Sequence, residues 1–192
     1  MTAATLWWVR HGPTHATGLV GWTDAPADLS DHAALARLDA YLPRAAAVIS
    51  SDLVRARTTA DAIAGTRSRL PDDPALREIH FGAWENRHVN ELMAETPDAL
   101  MAFWDRPGDS RPPGGEAWRD LEARVGAAAD ALASRGGDII VVAHMGAILT
   151  QLGRALAIPP KATLAHRIDN LSVTRIDFDA GRWNAGPINH RP

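Results

Sequence analysis

The stretch Ile139-Ile140-Val141-Val142-Ala143, opened by Asp138 and closed by His144-Met145-Gly146, narrows the fold most. Four β-branched residues and an alanine in a row, with no polar alternation, suit a strand buried on both faces. Such a strand needs a layer of helices on each side. A shorter run, Thr5 to Val9, ends in Arg10-His11-Gly12-Pro13, and Ala45 to Ile49 supplies a third. Helical spacing fills the gaps between them. Ser30 reads as an N-cap before Ala34, Leu35, Leu38 and Leu42, and Ser51 as a cap before Leu53, Ala56, Ala60 and Ile63, with Gly65 just beyond. Thr96-Pro97-Asp98 starts another helix with proline at its first position, leading into Leu100, Met101 and Trp104. Leu121, Val125, Ala128 and Leu132 mark the next, stopped by Gly136-Gly137. The tail, Leu171 to Phe178 and then Arg182-Trp183 across Asp179-Ala180-Gly181, reads as a hairpin at a sheet edge.

This alternation of strand and helix, without internal repeat or long polar linker, predicts an α/β fold in one domain over residues 1–192. Residues 86–115 form a helical and loop excursion beside the sheet. The absence of cysteine excludes disulfides, thiolate metal sites and cysteine nucleophiles. With 20 basic against 23 acidic residues, the chain has no charge surplus for tracking nucleic acid. Its apolar runs are too short to span a membrane, and the first residues lack a signal-peptide pattern, so the chain reads as cytoplasmic. Composition leaves the oligomeric state open, a homodimer included.

In open parallel sheets, ligands gather beyond the carboxyl ends of the strands. Three loops there carry Arg10-His11-Gly12, the segment from Ser51 to Ala56 with Arg55, and His144-Met145-Gly146. Two guanidinium groups and two imidazoles suit a phosphoryl group, since arginine binds phosphate oxygens in pairs and imidazole serves as nucleophile, donor or base near neutral pH.

These residues resemble the signature blocks of the histidine phosphatase, or phosphoglycerate mutase-like, superfamily. Arg10-His11-Gly12-Pro13-Thr14 is similar to the Arg-His-Gly-x-Thr signature. The segment from Ser50 to Ala60 resembles the second block, Leu76-Arg77-Glu78 with Gly82-Ala83-Trp84-Glu85 the third, Pro113-Gly114-Gly115-Glu116 a further block, and Val141 to Gly146 the last. The resemblance implies a three-layer α/β/α sandwich with a mostly parallel central sheet. It implies a phosphomonoesterase acting through a phosphohistidine on a small anionic phosphomonoester, with neither metal nor organic cofactor. His11 is then the nucleophile, Arg10, Arg55 and His144 hold the phosphoryl oxygens, and Glu78 carries the proton, with Glu85 as the alternative acid. Thr17 stands near where the family has a phosphate-touching asparagine, and Trp22, Trp84, Trp104 and the loop at Arg111 are candidate walls for the alcohol.

The sequence departs from the family at the fourth signature position, Pro13, and in a shortened stretch from Gly18 to Asp24. The final block continues Ala147-Ile148-Leu149 without a further cation, which favours hydrolysis over mutase-type transfer. A mutase and an inactive phosphate-binding module are the alternatives. A metallohydrolase finds little support, because Gly12-Pro13 breaks a helical His11/His15 face. An aspartyl phosphatase built on Asp177-Phe178-Asp179 meets a hairpin turn instead.

Overall fold

The computed structural model describes residues 3–192 and centres on one five-stranded sheet of order β2-β3-β1-β4-β5. The strands are β1 (Ala4–Arg10), β2 (Ala47–Ser50), β3 (Gly137–Ala143), β4 (Val173–Asp179) and β5 (Arg182–Ala185). β3 pairs in parallel with β1 and β2, while β4 is antiparallel to both β1 and β5. β4 is therefore the one reversed strand of the sheet, and the sheet is mostly parallel as expected. The third strand begins at Ala47, two residues later than the apolar run suggests, and the tail hairpin lies at the edge.

Alternate residues of each strand feed opposite cores. Leu6, Trp8, Ile49, Ile139, Val141 and Ile176 pack on one face, and Val9, Val48, Ile140, Val142 and Val173 on the other. Burial on both faces is why β3 needs no polar residue along its inner length. The second face is covered by α1 (His32–Tyr41) and α2 (Val54–Ala64), which contribute Leu35, Leu38, Ala56, Ala60 and Ile63. On the first face lie α5 (Trp118–Ala133) and α6 (Met145–Leu156), through Leu121, Val125, Ile148 and Leu152. Each of these large aliphatic side chains contributes about 1.5–3 kcal/mol by leaving water. A four-residue helix, α7 (Pro160–Thr163), precedes β4.

Two caps differ from the sequence reading. Asp31, not Ser30, caps α1, accepting from the Ala34 amide at 2.9 Å; Ser30 instead donates its own amide to Asp28. Helix α2 starts at Val54, later than a Ser51 cap allows, and the Ser51 hydroxyl accepts from the Leu53 amide in the preceding turn. Residues 86–115 contain α3 (Val89–Glu95) and α4 (Pro97–Asp105), whose Leu92, Leu100 and Phe103 join the first core. Because β1, β2 and β3 run side by side in one direction, the loops after them open at one end of the sheet. Among the described residues, no helix is long and apolar enough to cross a membrane.

Candidate active site

His11 follows the last residue of β1, and its amide still donates to Ala143 at the end of β3, at 3.0 Å. His144 follows β3 directly and occupies the N-cap position of α6. The two rings lie 5.0 Å apart, centroid to centroid. Arg55, in the first turn of α2, is buried between them, and its Nε lies 3.2 Å from both His11 Nε2 and His144 Nδ1.

This network fixes the tautomers. An arginine Nε–H only donates, so His11 Nε2 and His144 Nδ1 must both accept. His11 Nδ1 then carries the proton and donates it to the Gly12 carbonyl at 2.6 Å. His144 carries its proton on Nε2, a buried atom without a partner among the described residues. Burial, reinforced by the neighbouring Arg55, pushes the His11 imidazole down to about 3. Burial likewise holds His144 well below the ordinary histidine range, with His11 and Arg55 adding to it. Both rings are neutral near neutral pH, and His11 presents an unprotonated nitrogen.

The arginines are held differently. Arg10 donates from Nη1 to the Ile168 carbonyl at 2.6 Å, and its buried Nε has no partner among the described residues. Arg55 spends its fork on backbone, donating from Nη1 to Thr23 O at 2.8 Å and from Nη2 to Gly21 O at 2.6 Å. Arg55, expected to hold phosphoryl oxygens, thus also fastens the 21–23 loop with both prongs of its fork. Desolvation by burial lowers both guanidinium groups from their ordinary value, partly offset by Glu78.

The same loop separates the two candidate acids. Glu85 accepts from the amides of Gly21, Trp22, Thr23 and Phe81 and from the Thr23 hydroxyl. Burial pushes its carboxyl upward, but these donors together hold it below the usual glutamate value. Glu85 is thus a loop anchor, and it fastens the amides of the segment whose carbonyls Arg55 fastens. Gly21 is required there, because a Cβ would lie 2.1 Å from the Ile79 carbonyl oxygen. Glu78, by contrast, lines the pocket with Arg10, His11 and Arg55. Its carboxylate accepts from its neighbour Ile79 at 2.8 Å and from the Gly146 amide in the first turn of α6 at 3.0 Å. A Cβ on Gly146 would come within 2.3 Å of that carboxylate, so glycine is what lets α6 approach.

The pocket, about 300 Å³, is also lined by Thr14, Ala16, Gly18, Leu19, Val20, Phe81, Trp104, Met145 and Asn170. Thr17 is exposed and does not line it, although its neighbours on both sides do. Trp22 is outside it as well. Its indole donates to the Glu78 carbonyl at 2.8 Å, beside the His80 ring at 4.6 Å and the Arg77 guanidinium at 4.7 Å. Trp84 is a core residue, and Arg111 pairs with Asp120 at the surface. Of the candidate tryptophan walls, Trp104 alone reaches the pocket.

Three supporting residues are not singled out as site residues by the sequence, although Thr59 lies inside the Ser50 to Ala60 block. Asn170 donates to the His11 carbonyl at 2.9 Å from the loop before β4. Thr59 accepts the Gly12 amide at 3.0 Å. Arg124, on α5, donates to the carbonyls of Ala75, Arg77 and Glu78 and pairs with Glu116, which in turn accepts the His80 amide. The segment carrying Glu78 is therefore gripped from behind. Asp177 of the Asp177-Phe178-Asp179 run pairs with Arg175 within β4, far along the chain from these loops.

Residues 6–190 match the model of the Histidine phosphatase superfamily (branch 1). The chain belongs to that superfamily. The Escherichia coli K12 (DH10B) protein named "Probable phosphoglycerate mutase GpmB" is 31% identical over 154 residues, covering 74% of this chain and 72% of its own. Among solved structures, Bacillus stearothermophilus YhfR superposes with a TM-score of 0.89 at 28% identity, covering 97% of each chain. The alpha-ribazole phosphatase from Shigella flexneri gives 0.84 at 26% identity, over 97% of this chain and 96% of that one. A mycobacterial glucosyl-3-phosphoglycerate phosphatase gives 0.85 at 25%, over 98% and 99%.

Proposed function

We propose that this protein is a metal-independent phosphomonoesterase that hydrolyses a small phosphorylated metabolite through a phosphohistidine. The observation that carries this is the tautomer network: His11 holds its proton on Nδ1 against Gly12 O and offers Nε2 as a lone pair. That nitrogen attacks phosphorus, the bond from phosphorus to the ester oxygen breaks, and Glu78 gives its proton to the departing alcohol. Arg10, Arg55 and the Nε2–H of His144 hold the non-bridging oxygens and the charge that develops on them. Glu78 then takes a proton from water, whose oxygen displaces His11 and releases inorganic phosphate. Trp22 and Thr17 have no contact role in this scheme; Trp22 instead steadies the Glu78 backbone. The chain acts as one domain, with residues 86–115 lending Trp104 to the pocket rim.

Hydrolysis is preferred to mutase-type transfer because, among the described residues, Arg10 and Arg55 are the only arginine or lysine residues lining the pocket. A mutase must hold a second acidic group as well. The experiment is turnover of p-nitrophenyl phosphate with EDTA present, comparing wild type with His11→Ala. The expected result is full wild-type activity in EDTA and a loss of at least about a thousandfold in the variant, with the fold retained. Undiminished turnover by His11→Ala overturns the reading.

A further inference from the structure

Resting on that reading, we propose that the alcohol released from the phosphate is apolar, and that the substrate is the phosphomonoester of an aromatic or aliphatic alcohol without a second anionic group. The pocket lining is uneven. Arg10, His11 and Arg55 meet in it, Thr14 and Asn170 add polar atoms, and Phe81, Trp104 and Met145 join it to an apolar crevice beside Glu78. Among the described residues, no hydroxyl or carboxamide side chain lines that crevice beside Glu78, so the hydroxyls of a sugar placed against it would lose water without a replacement partner. Each such loss costs about 1–3 kcal/mol.

Charge points the same way. The Arg55 fork is already committed to Gly21 O and Thr23 O, and Arg10 to Ile168 O, so the phosphoryl group takes what remains of both. A carboxylate on the substrate would find no further arginine or lysine among the described residues that line the pocket. The wall is also stiff. Trp104 packs edge-on against Phe103 at 4.8 Å, and Phe103 against Trp84 at 5.6 Å and Phe81 at 6.1 Å. Behind it a small crevice of about 30 Å³ shares Glu78, Phe81, Trp104 and Met145 with the pocket and continues into Phe103, Trp118, Leu149 and Leu164. A pocket of about 300 Å³ is at the lower end for ligand sites, so the alcohol is small, on the scale of a single ring.

The test compares kcat/KM, in EDTA, for 3-phenylpropyl phosphate, glycerol 3-phosphate and 3-phosphoglycerate. All three release alkyl alcohols, so their difference reports recognition rather than leaving-group chemistry. The expected order is phenylpropyl over glycerol phosphate by about tenfold or more, with 3-phosphoglycerate lowest. Trp104→Ala and Met145→Gln each bring the first ratio to within about threefold, and Trp104→Phe keeps most of it. Met145 is exposed at the start of α6, so its variant tests the wall even if Trp104→Ala unfolds. A flat or reversed order with turnover still dependent on His11, or an unchanged ratio in Met145→Gln, overturns this inference alone. Failure of wild type to hydrolyse any of the three overturns it together with the phosphatase reading.

Discussion

The phosphoryl end of the pocket and its apolar end are built by opposite means. His11 and His144 each follow a central strand directly, so sheet register brings them side by side, and Arg55 arrives between them from the helix after a third strand. Phe81, Trp104 and Met145 come from a loop, the excursion helix α4 and the first residue of α6, and only tertiary packing joins them. One end is fixed by hydrogen bonds to backbone and the other by aromatic contact. Chemistry that must not vary is thereby placed on the most rigid part of the fold, while the surface that meets the alcohol is carried by elements free to change.

The sharpest way to break this division is to exchange the two acids. Glu78→Gln removes the proton carrier, so kcat for an alkyl phosphate should fall by about a hundredfold to ten-thousandfold, and much less for p-nitrophenyl phosphate, whose leaving group needs no proton. Glu85→Gln should act through the loop instead, weakening stability and raising KM for both esters alike. Equal leaving-group dependence in the two variants, measured by steady-state kinetics, would erase the distinction between acid and anchor.

Arg55→Lys sits on the boundary between the two roles. A lysine cannot span Gly21 O, Thr23 O and two imidazole nitrogens at once, so kcat/KM should drop by about a hundredfold. Exposure of the 18–24 loop, read by limited proteolysis, should rise with it. A lysine variant with wild-type kinetics would remove Arg55 from the centre of the site.

A smaller effect concerns acid stability. The native His11 ring sits near 3 and an unfolded histidine near 6.5, so below about 6.5 the unfolded chain binds a proton that the native chain refuses. The native state is therefore fully favoured above that value and loses stability as pH falls toward 3. His11 contributes about 1 kcal/mol per pH unit across this window, and the buried His144 adds to the same slope. Urea unfolding between pH 7 and pH 5 should show a shallower dependence in His11→Gln than in wild type. An identical slope would mean that the His11 ring is protonated in the native state.

What the sequence revealed follows the same division. Strand-end loops are local in the chain, so Arg10, His11, Arg55 and His144 could be read from short blocks without knowing the rest of the fold. Glu78 could be named but not separated from Glu85, because the separation depends on where the loop from Gly18 to Asp24 lies. That loop is set by contacts with Arg55 and Glu85, thirty to sixty residues away. The same contacts hold Trp22 outside the pocket, where its amide donates to Glu85. Arg124 and Asn170 were invisible for a related reason. A charged residue on a helix and a polar one in a loop look like ordinary solvated positions until their carbonyl partners, up to 159 residues away, are known. Caps erred by one or two residues, since Ser30 and Asp31 are both good caps and only the local turn chooses between them.

The central claim is that His11 Nε2 becomes bonded to phosphorus during turnover. Rapid quenching of wild type with a slowly hydrolysed phosphomonoester, followed by peptide mass spectrometry under alkaline conditions, tests it directly. The account predicts an acid-labile phosphoryl group on the peptide containing His11, formed within a single turnover and enriched in Glu78→Gln with a good leaving group. Turnover accompanied by a phosphoryl group on another residue, or by none at any time point, would contradict it.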